Sequence, residues 1–510
     1  MGKKETVPFG VSPLVHILEK SPKDFTWKDL VKCIEKCEIK FIDFHYVGGD
    51  GRIKTLNFAV QSREQLKHLL LLGERVDGSS LFPYLESGKS DLYVVPQLST
   101  AFLNTLSQEL SLGIFCRYFD QEGNPFDYSP DNILFKADQV FKEETGLQLW
   151  AMGELEYYII YPKEELYLAT NQKGYHESTP FIKFEHIRKE AIMHLTAAGA
   201  EVKYAHSEVG NFTDEKFVYE QNEIEFIPTT LEKAANSLLL AKWILRNLAY
   251  KYNVQVSFSP KISLGKAGSG LHIHLQLRDL EGKNVVLENK TLSDNSKKAI
   301  AGILKYTSAL TAFGNPVPIS YLRLVPNQEA PTKVCWGDFN RSALIRVPLS
   351  WSNEYEKMIK TANPQAKIPD TLDTSIKPTF EFRVPDGAAN VHLLLAGIAA
   401  AAREGLMDSD SLDFAEKTYV NVNIFLQENK HIAEKLSNLP TCCYESAQAL
   451  ASTKEIFLKH NVFPEKVLNY TIKQLESYND CTWREKLASL PEKERDEELK
   501  KAVLDYINIG

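Results

Sequence analysis

The stretch Gly153-Glu154-Leu155-Glu156-Tyr157-Tyr158-Ile159-Ile160 decides how the chain is read. It sets two acidic side chains two positions apart in a strand-favouring run, and the two-residue period of a strand puts both on one face. Three further segments repeat the pattern: Asn222-Glu223-Ile224-Glu225-Phe226-Ile227, Leu271-His272-Ile273-His274-Leu275 and Phe380-Glu381-Phe382-Arg383-Val384. Leu, Ile, Phe and Tyr fill the opposite faces. Taken singly, each pair is the solvated face of a half-buried antiparallel strand, the ordinary meaning of alternation. His272 and His274 alone serve equally well as hydrogen-bonded core residues. Taken together, the four segments suggest a sheet cupping a polar cavity.

If these carboxylates converge, their repulsion has to be met. Two like charges about 4 Å apart cost roughly 4 kcal/mol at an effective dielectric of 20, so a group of five needs cations. Oxygen-rich ligation with a single imidazole suits magnesium or manganese better than zinc or copper. Such ions bridge nucleotide phosphates, and Arg323, Arg341, Arg346 and Arg383 are available to balance a transferring phosphoryl group. The run Gly265-Lys266-Ala267-Gly268-Ser269-Gly270 is not read as a phosphate loop. Its glycines precede a strand, whereas a P-loop follows one and opens a helix.

Outward from this centre the chain has room for more than one domain, with 510 residues. At 44% apolar and 25% charged it is too hydrophobic for disorder. A net charge of −8, with basic and acidic residues interleaved, excludes a nucleic-acid footprint. The seven cysteines form neither a disulfide framework nor a zinc pattern. With no secretory leader expected, and the longest apolar run (Val391 to Ala402) too short for a bilayer, the expected location is the cytoplasm.

Thr26-x-x-Asp29 opens an amphipathic helix. Phe41 to Val47 and Ile53 to Phe58 read as strands joined by Gly48-Gly49-Asp50-Gly51, and a second helix begins at Ser62. Turn residues accumulate at Asn124-Pro125-Phe126 before Ser129-Pro130 opens another helix, so the domain boundary is placed there: 1–126 and 127–510. In the second part, helical stretches (129–144, 186–198, 231–250) alternate with strands, giving an α+β class. From Ser452-x-x-Glu455 onward the chain reads as capped helices broken at Pro464 and Pro491, suited to packing or oligomer contact.

At these residues the sequence resembles the glutamine synthetase family, of the prokaryotic type I kind. Val76-Asp77-Gly78-Ser79-Ser80 is similar to the family's small-domain loop, Gly153 to Glu156 to its first carboxylate pair, and Gly268 to His274 to its glycine-rich histidine strand. Arg323 to Pro326, Glu329-Ala330-Pro331, Asn340 to Arg346 and Glu381 to Asp386 resemble its substrate and phosphate segments. The resemblance implies a small N-terminal β-grasp-like domain and a large catalytic domain with a curved antiparallel sheet flanked by helices. It also implies homo-oligomeric rings, a dodecamer, with active sites between subunits.

It further implies two or more Mg2+ or Mn2+ ions per site, with Glu156, Glu208 and Glu223 on one and Glu154, His272 and Glu381 on the other. ATP, bound in part by His274 and Arg346, would phosphorylate the side-chain carboxylate of glutamate, and ammonia would displace the phosphate. Arg341, Arg346 and Arg383 would steady the phosphoryl charge and Arg323 would grip the glutamate α-carboxylate, tasks suited to a planar guanidinium. Asp77 would take a proton from ammonium, Glu329 would close over the intermediate, and Ser80, Tyr175 and Gly268 would contact substrate. No nucleic acid or membrane partner is implied.

The chain departs from the family pattern in places. Ser207 stands before Glu208 where a second histidine is common, and the stretch between Glu208 and Glu223 is longer than usual, so Glu220 or Glu225 competes with Glu223. Ala267, Asn327-Gln328 and Thr379 also differ, and the tyrosine segment used for adenylylation has no match after Leu406. Two rival readings stand: a γ-glutamyl ligase using another amine, and a catalytically silent structural homologue.

Overall fold

The structure, a computed structural model, describes residues 12–85, 90–107, 109–326, 330–349, 355–365, 367 and 377–506. The first sheet comes from β1 (Phe41–Val47), β2 (Ile53–Ala59), β3 (Glu74–Asp77), β4 (Asp91–Pro96), β5 (Phe102–Asn104) and β6 (Ser111–Phe119). Its order is β2-β1-β6-β4-β3, with β5 beside β6. β1 runs parallel to β6 and antiparallel to β2. The helices Trp27–Lys36 and Arg63–Leu72 start where the sequence places them. Thr26 and Asp29 close a reciprocal capping box, and Ser62 accepts the amide of Gln65. This is the expected β-grasp unit; Asp77 ends its β3 and Ser80 lies in the turn that follows.

The second sheet is built from β7 (Gln148–Pro162), β8 (Val202–Ser207), β9 (Phe212–Thr213), β10 (Phe217–Phe226), β11 (Thr229–Thr230), β12 (Gln255–Ser257) and β13 (Leu271–Arg278). After a separate small hairpin of β14 (Leu287–Glu288) and β15 (Thr291–Leu292), β16 (Trp336–Asp338), β17 (Ile345–Val347) and β18 (Phe380–Phe382) complete it. The order β16-β17-β18-β13-β7-β10-β8 brings all four two-residue-period segments side by side. Leu155, Ile224, Ile273 and Phe382 from their alternate positions are buried in the core. One face therefore anchors the sheet by apolar burial while the other carries the acids.

Helices cover the apolar face. Leu231–Lys251 packs on β7, and Asp294–Gly314 packs against Val391–Met407. These last two touch at Gly302 and Gly405, where a Cβ on either would overlap the other helix's backbone. The apolar run at Val391 is thus a core helix, and no helix among the described residues is long and apolar enough to cross a membrane.

The C-terminal helices break at Pro464 and Pro491 as expected, giving Glu465–Ser477 and Glu492–Tyr506. Ser452 does not cap a helix start. It lies in the last turn of Cys443–Thr453, where its hydroxyl donates to the Ala449 carbonyl, and helix Glu455–Leu458 follows a bend at Lys454. A serine hydroxyl satisfied by its own preceding turn is not available to the next. The final helices bury Leu487, Leu499 and Val503 against Val317, Ile319 and Leu322.

Candidate active site

Strand register assembles the acids. Glu223 on β10 lies opposite Glu156 on β7, Glu225 opposite Glu154, His272 on β13 opposite Glu154, and His274 opposite Glu381 on β18. Glu208 follows the end of β8, its backbone amide bonded to the Gln221 carbonyl. The longer stretch between Glu208 and Glu223 is a hairpin: β9 folds back on β10, pairing Phe212 with Tyr219. Glu220, one of the competing acids, is held elsewhere by the Tyr161 hydroxyl at 2.7 Å and the Lys183 amide at 2.8 Å. Glu225 faces the cluster and is bonded by the Lys203 ammonium.

At one end Glu154 Oε2 meets His272 Nδ1 at 3.0 Å, and Glu154 Oε1 meets His274 Nε2 at 2.9 Å. Burial pushes the Glu154 carboxyl up, but the two imidazoles overcome it and hold the acid well below the usual range. Burial likewise opposes charge on His274, and Glu154 reverses this and raises it. Glu381 accepts from Arg346 at 3.1 Å and from Arg383 at 3.0 Å; burial and the Glu154 charge push its carboxyl up, and Arg383, His274 and His272 together outweigh them and lower it. His272 Nδ1 lies 3.5 Å from Glu381.

The other end carries an excess of negative charge. Burial, then Glu154, Glu156, Glu208 and Glu225, push the Glu223 carboxyl well above its usual range. Glu156 is oriented by the Gly270 amide at 2.8 Å and the Gln221 amide at 3.0 Å. His206 is a residue the sequence reading missed. It lies opposite Glu223, with ring nitrogens 3.8 Å from Glu208 and 3.9 Å from Glu223. The alternation of Tyr204 and His206 along β8, continued by Glu208 just past its end, carries that signal. Three groups of donor atoms lie within 4.8 Å of one another: Glu154, His274 and Glu381; His206, Glu208 and Glu223; Glu154, Glu223 and Glu225. Crowded carboxylates with imidazole at each end fit hard divalent cations, since a cation would remove the repulsion that Glu223 records.

Around the cluster, Tyr175 stacks on His176 at 4.1 Å and meets His206 edge-on at 5.4 Å, while remaining half exposed. Burial and Glu208 raise its phenol, and the Arg341 charge opposes them. Arg323 is buried, its guanidinium donating to the Val384 carbonyl at 2.9 Å and the Pro385 carbonyl at 3.2 Å. Gly268 lets it come close: a Cβ there would stand 2.9 Å from Arg323 Cγ. Arg383 also donates to the Arg341 carbonyl. Asp77 and Ser80 are exposed, with the Asp77 carboxylate accepting from the Ser79 and Ser80 hydroxyls at 2.7 Å each. The exposed Asp77 carboxylate is held well below its usual range by the Ser79, Ser80 and Ser90 hydroxyls. Glu329 lies outside the described residues.

Beyond His274 the sheet opens into a cavity of about 1010 Å³. Ile227, Pro228, Trp336, Phe339 and Tyr419 supply apolar wall; Lys203, Asp338 and Thr379 supply polar groups, with the Thr379 hydroxyl 2.9 Å from His274 Nδ1. Flat apolar walls leading to a charged floor suit a large ligand with a ring at one end and charge at the other.

Sequence comparison gives this β-grasp unit and acid-lined curved sheet their class. Residues 127–480 match the glutamine synthetase catalytic domain and residues 38–121 the glutamine synthetase β-grasp domain. The chain belongs to the glutamine synthetase family. It is 28% identical over 453 residues to the glutamine synthetase of Methanococcus voltae, covering 86% of this chain and 93% of that one. Its fold is similar to that of Plasmodium falciparum glutamine synthetase, with a TM-score of 0.71, 22% identity, and 90% and 97% of the two chains covered. The ADP complex of GmaS is similar in fold, with a TM-score of 0.69, 17% identity, and 92% and 99% covered.

Proposed function

We propose that the protein is a type I member of its family that ligates ammonia to the side-chain carboxylate of L-glutamate at the expense of ATP. The observation that carries this reading is the acid–imidazole floor shared by β7, β10, β13 and β18, which opens through His274 into the large cavity. Glu156, Glu208 and Glu223 would hold one divalent ion, and Glu154, His272 and Glu381 another. When bound, such ions neutralise phosphate charge and act as Lewis acids.

ATP would lie in the cavity with its phosphates toward His274 and Arg346. The glutamate carboxylate oxygen attacks the γ-phosphorus and the bond to ADP breaks, giving an acyl phosphate. Ammonia then attacks the carbonyl carbon, and phosphate leaves with the C–O bond electrons. Arg341 and Arg383 would face the charge on the transferring group, and Arg323, set beside Gly268, would take the α-carboxylate. Asp77, with Ser80, would reach the site of a neighbouring copy and accept the ammonium proton, with Tyr175 at the same pocket and Glu329 shielding the intermediate. The β-grasp unit would span residues 1–126 and the catalytic part 127–510, assembled as dodecameric rings in the cytoplasm.

The test is phosphate release from ATP, magnesium and glutamate with ammonium or a panel of amines. Release with ammonium is expected. Release with an amine but not ammonium would establish the rival γ-glutamyl ligase, and none with any acceptor the silent homologue.

A further inference from the structure

Cys442 and Cys481 are 39 residues apart along the chain, yet their sulfurs stand 3.4 Å from each other. Cys442 is the N-cap of the helix Cys443–Thr453 and is only 2% exposed. Cys481 is the one exposed cysteine among the described residues. The backbone holds both in place. The Asp480 carboxylate accepts the Cys443 amide at 2.8 Å and the Tyr444 amide at 3.3 Å, so the residue before Cys481 is tied to the turn that Cys442 opens. On its other side the Asp480 carbonyl accepts the Trp483 amide at 3.0 Å, where the helix Trp483–Ser489 begins.

The two thiols differ in access and in surroundings. A small reagent meets Cys481 first. Burial pushes the Cys442 thiol up to about 12 against the Glu445 amide, which donates to its sulfur at 3.4 Å, and the Cys481 thiol and Asp480 charge add to the rise. Once Cys481 is bonded to another sulfur it carries no charge, so that part of the opposition goes. The Glu445 amide and the helix N-terminus then remain to favour a Cys442 thiolate. The neighbouring Cys443 is no rival, since it is wholly buried and both burial and Asp480 keep its thiol protonated.

We propose that Cys481 is a thiol-modification site that exchanges with small disulfides of the glutathione class and passes the bond to Cys442, giving a reversible Cys442–Cys481 disulfide. A disulfide spans about 2.05 Å, so the sulfurs have to approach by about 1.4 Å, a shift that rotation of the exposed Cys481 side chain supplies. The Cys481 thiolate attacks one sulfur of the small disulfide, whose S–S bond breaks, and the departing thiolate takes up a proton. Cys442 then loses its proton and attacks the Cys481 sulfur, expelling the second small thiol. Two protein thiols are oxidised, and one small disulfide is reduced to two thiols. The bond would staple the helix Cys443–Thr453 to the entry of Trp483–Ser489, whose Arg484 donates to the Tyr321 carbonyl at 2.8 Å. Its surface sulfur leaves it open to reversal by free thiols, the mark of a transient disulfide rather than a structural one.

The test incubates the full chain with glutathione disulfide as wild type, Cys442→Ser and Cys481→Ser, alkylates the remaining thiols and maps the peptides by mass spectrometry. Wild type should yield the Cys442–Cys481 linked peptides without retained glutathione, reversed by excess reduced glutathione. Cys442→Ser should stop with one glutathione on Cys481. Cys481→Ser should take up about tenfold less glutathione or lower, because the buried Cys442 does not meet the reagent. Both variants should fold, since serine is a favoured N-cap and position 481 is at the surface. A wild type that keeps glutathione on Cys481 to the extent that Cys442→Ser does, or that leaves Cys481 unmodified, overturns the proposal.

Discussion

Glu223 on β10 stands directly opposite Glu156 on β7, so two acids meet across a strand pair that ordinarily avoids like charges. The fold tolerates this repulsion at the centre of its largest sheet, where a hydrophobic or oppositely charged pair would be more stable.

The first prediction follows from that opposition. Mg2+ or Mn2+ should raise the melting temperature of the chelator-treated protein, by about 2.7 kcal/mol of stability at a hundredfold excess over the dissociation constant. Glu223→Gln should be at least as stable as wild type without metal and should lose most of the increment. Scanning calorimetry with and without EDTA checks both. An unchanged increment in the variant would remove Glu223 from the ligand set.

Asp77 ends β3 with its carboxylate exposed and accepting from the Ser79 and Ser80 hydroxyls, and the proposed reaction has it serve the site of a neighbouring copy. Asp77→Asn should bind ATP normally yet lose ammonia-dependent turnover by about 100-fold, the scale of a general base. Mixed and reassembled with equally inactive Glu156→Gln, it should recover part of the activity, because some sites then combine an intact Asp77 with an intact cluster. No recovery after verified subunit exchange would place Asp77 in its own chain's chemistry or in none.

Arg484 donates to the Tyr321 carbonyl at 2.8 Å, at the end of the short helix Ser320–Arg323. If Arg323 takes the glutamate α-carboxylate as proposed, Arg484 would act through it as a positioning residue. Arg484→Ala should raise KM for glutamate about fivefold, from about 1 kcal/mol for one hydrogen bond, and leave KM for ATP unchanged. Steady-state kinetics with each substrate varied would show this split, and equal changes in both would argue for general loosening.

His45 is buried between Phe102, Phe115 and Trp243, and burial brings it down to about 4 from the ordinary 6.5. The unfolded chain therefore binds the proton more tightly than the folded one between these values. The contribution of a neutral His45 is complete above about pH 6.5 and is lost as pH falls toward about 4, at about 1.4 kcal/mol per unit. Denaturant melts across this window should show the slope, and His45→Phe should flatten it.

Much of this site was legible because a strand writes its two faces into alternate letters. Alternation sets Glu154 with Glu156, Glu223 with Glu225, His272 with His274 and Glu381 with Arg383, and the sheet order sets their strands adjacent, whereas the choice of ligands among them rests on the family resemblance. Register was not legible: nothing in the letters around Glu225 shows that it faces Glu154 rather than Glu156, since pairing is decided across the sheet. His206 escaped because β8 is short and half exposed, so its alternation lacks an apolar counterpart. The Arg323 bonds to Val384 and Pro385 link residues remote in sequence, and no local pattern encodes such a contact. Ser452 shows the opposite error, in which a local capping pattern lost to the preceding turn of its own helix.

The β9–β10 hairpin lies between Glu208 and Glu223, and its extra residues are absorbed as paired strands, with Phe212 and Tyr219 buried beside Tyr158, while both acids stay at the cluster. Chain length between these two acids is thus uncoupled from the distance between them in space. A search pattern that fixes their spacing will overlook proteins built this way, whereas one anchored on the strand that holds Gln221-Asn222-Glu223 will recover them. The same independence makes the hairpin tip at Glu215 a natural place to insert a reporter peptide without disturbing the acids on either side.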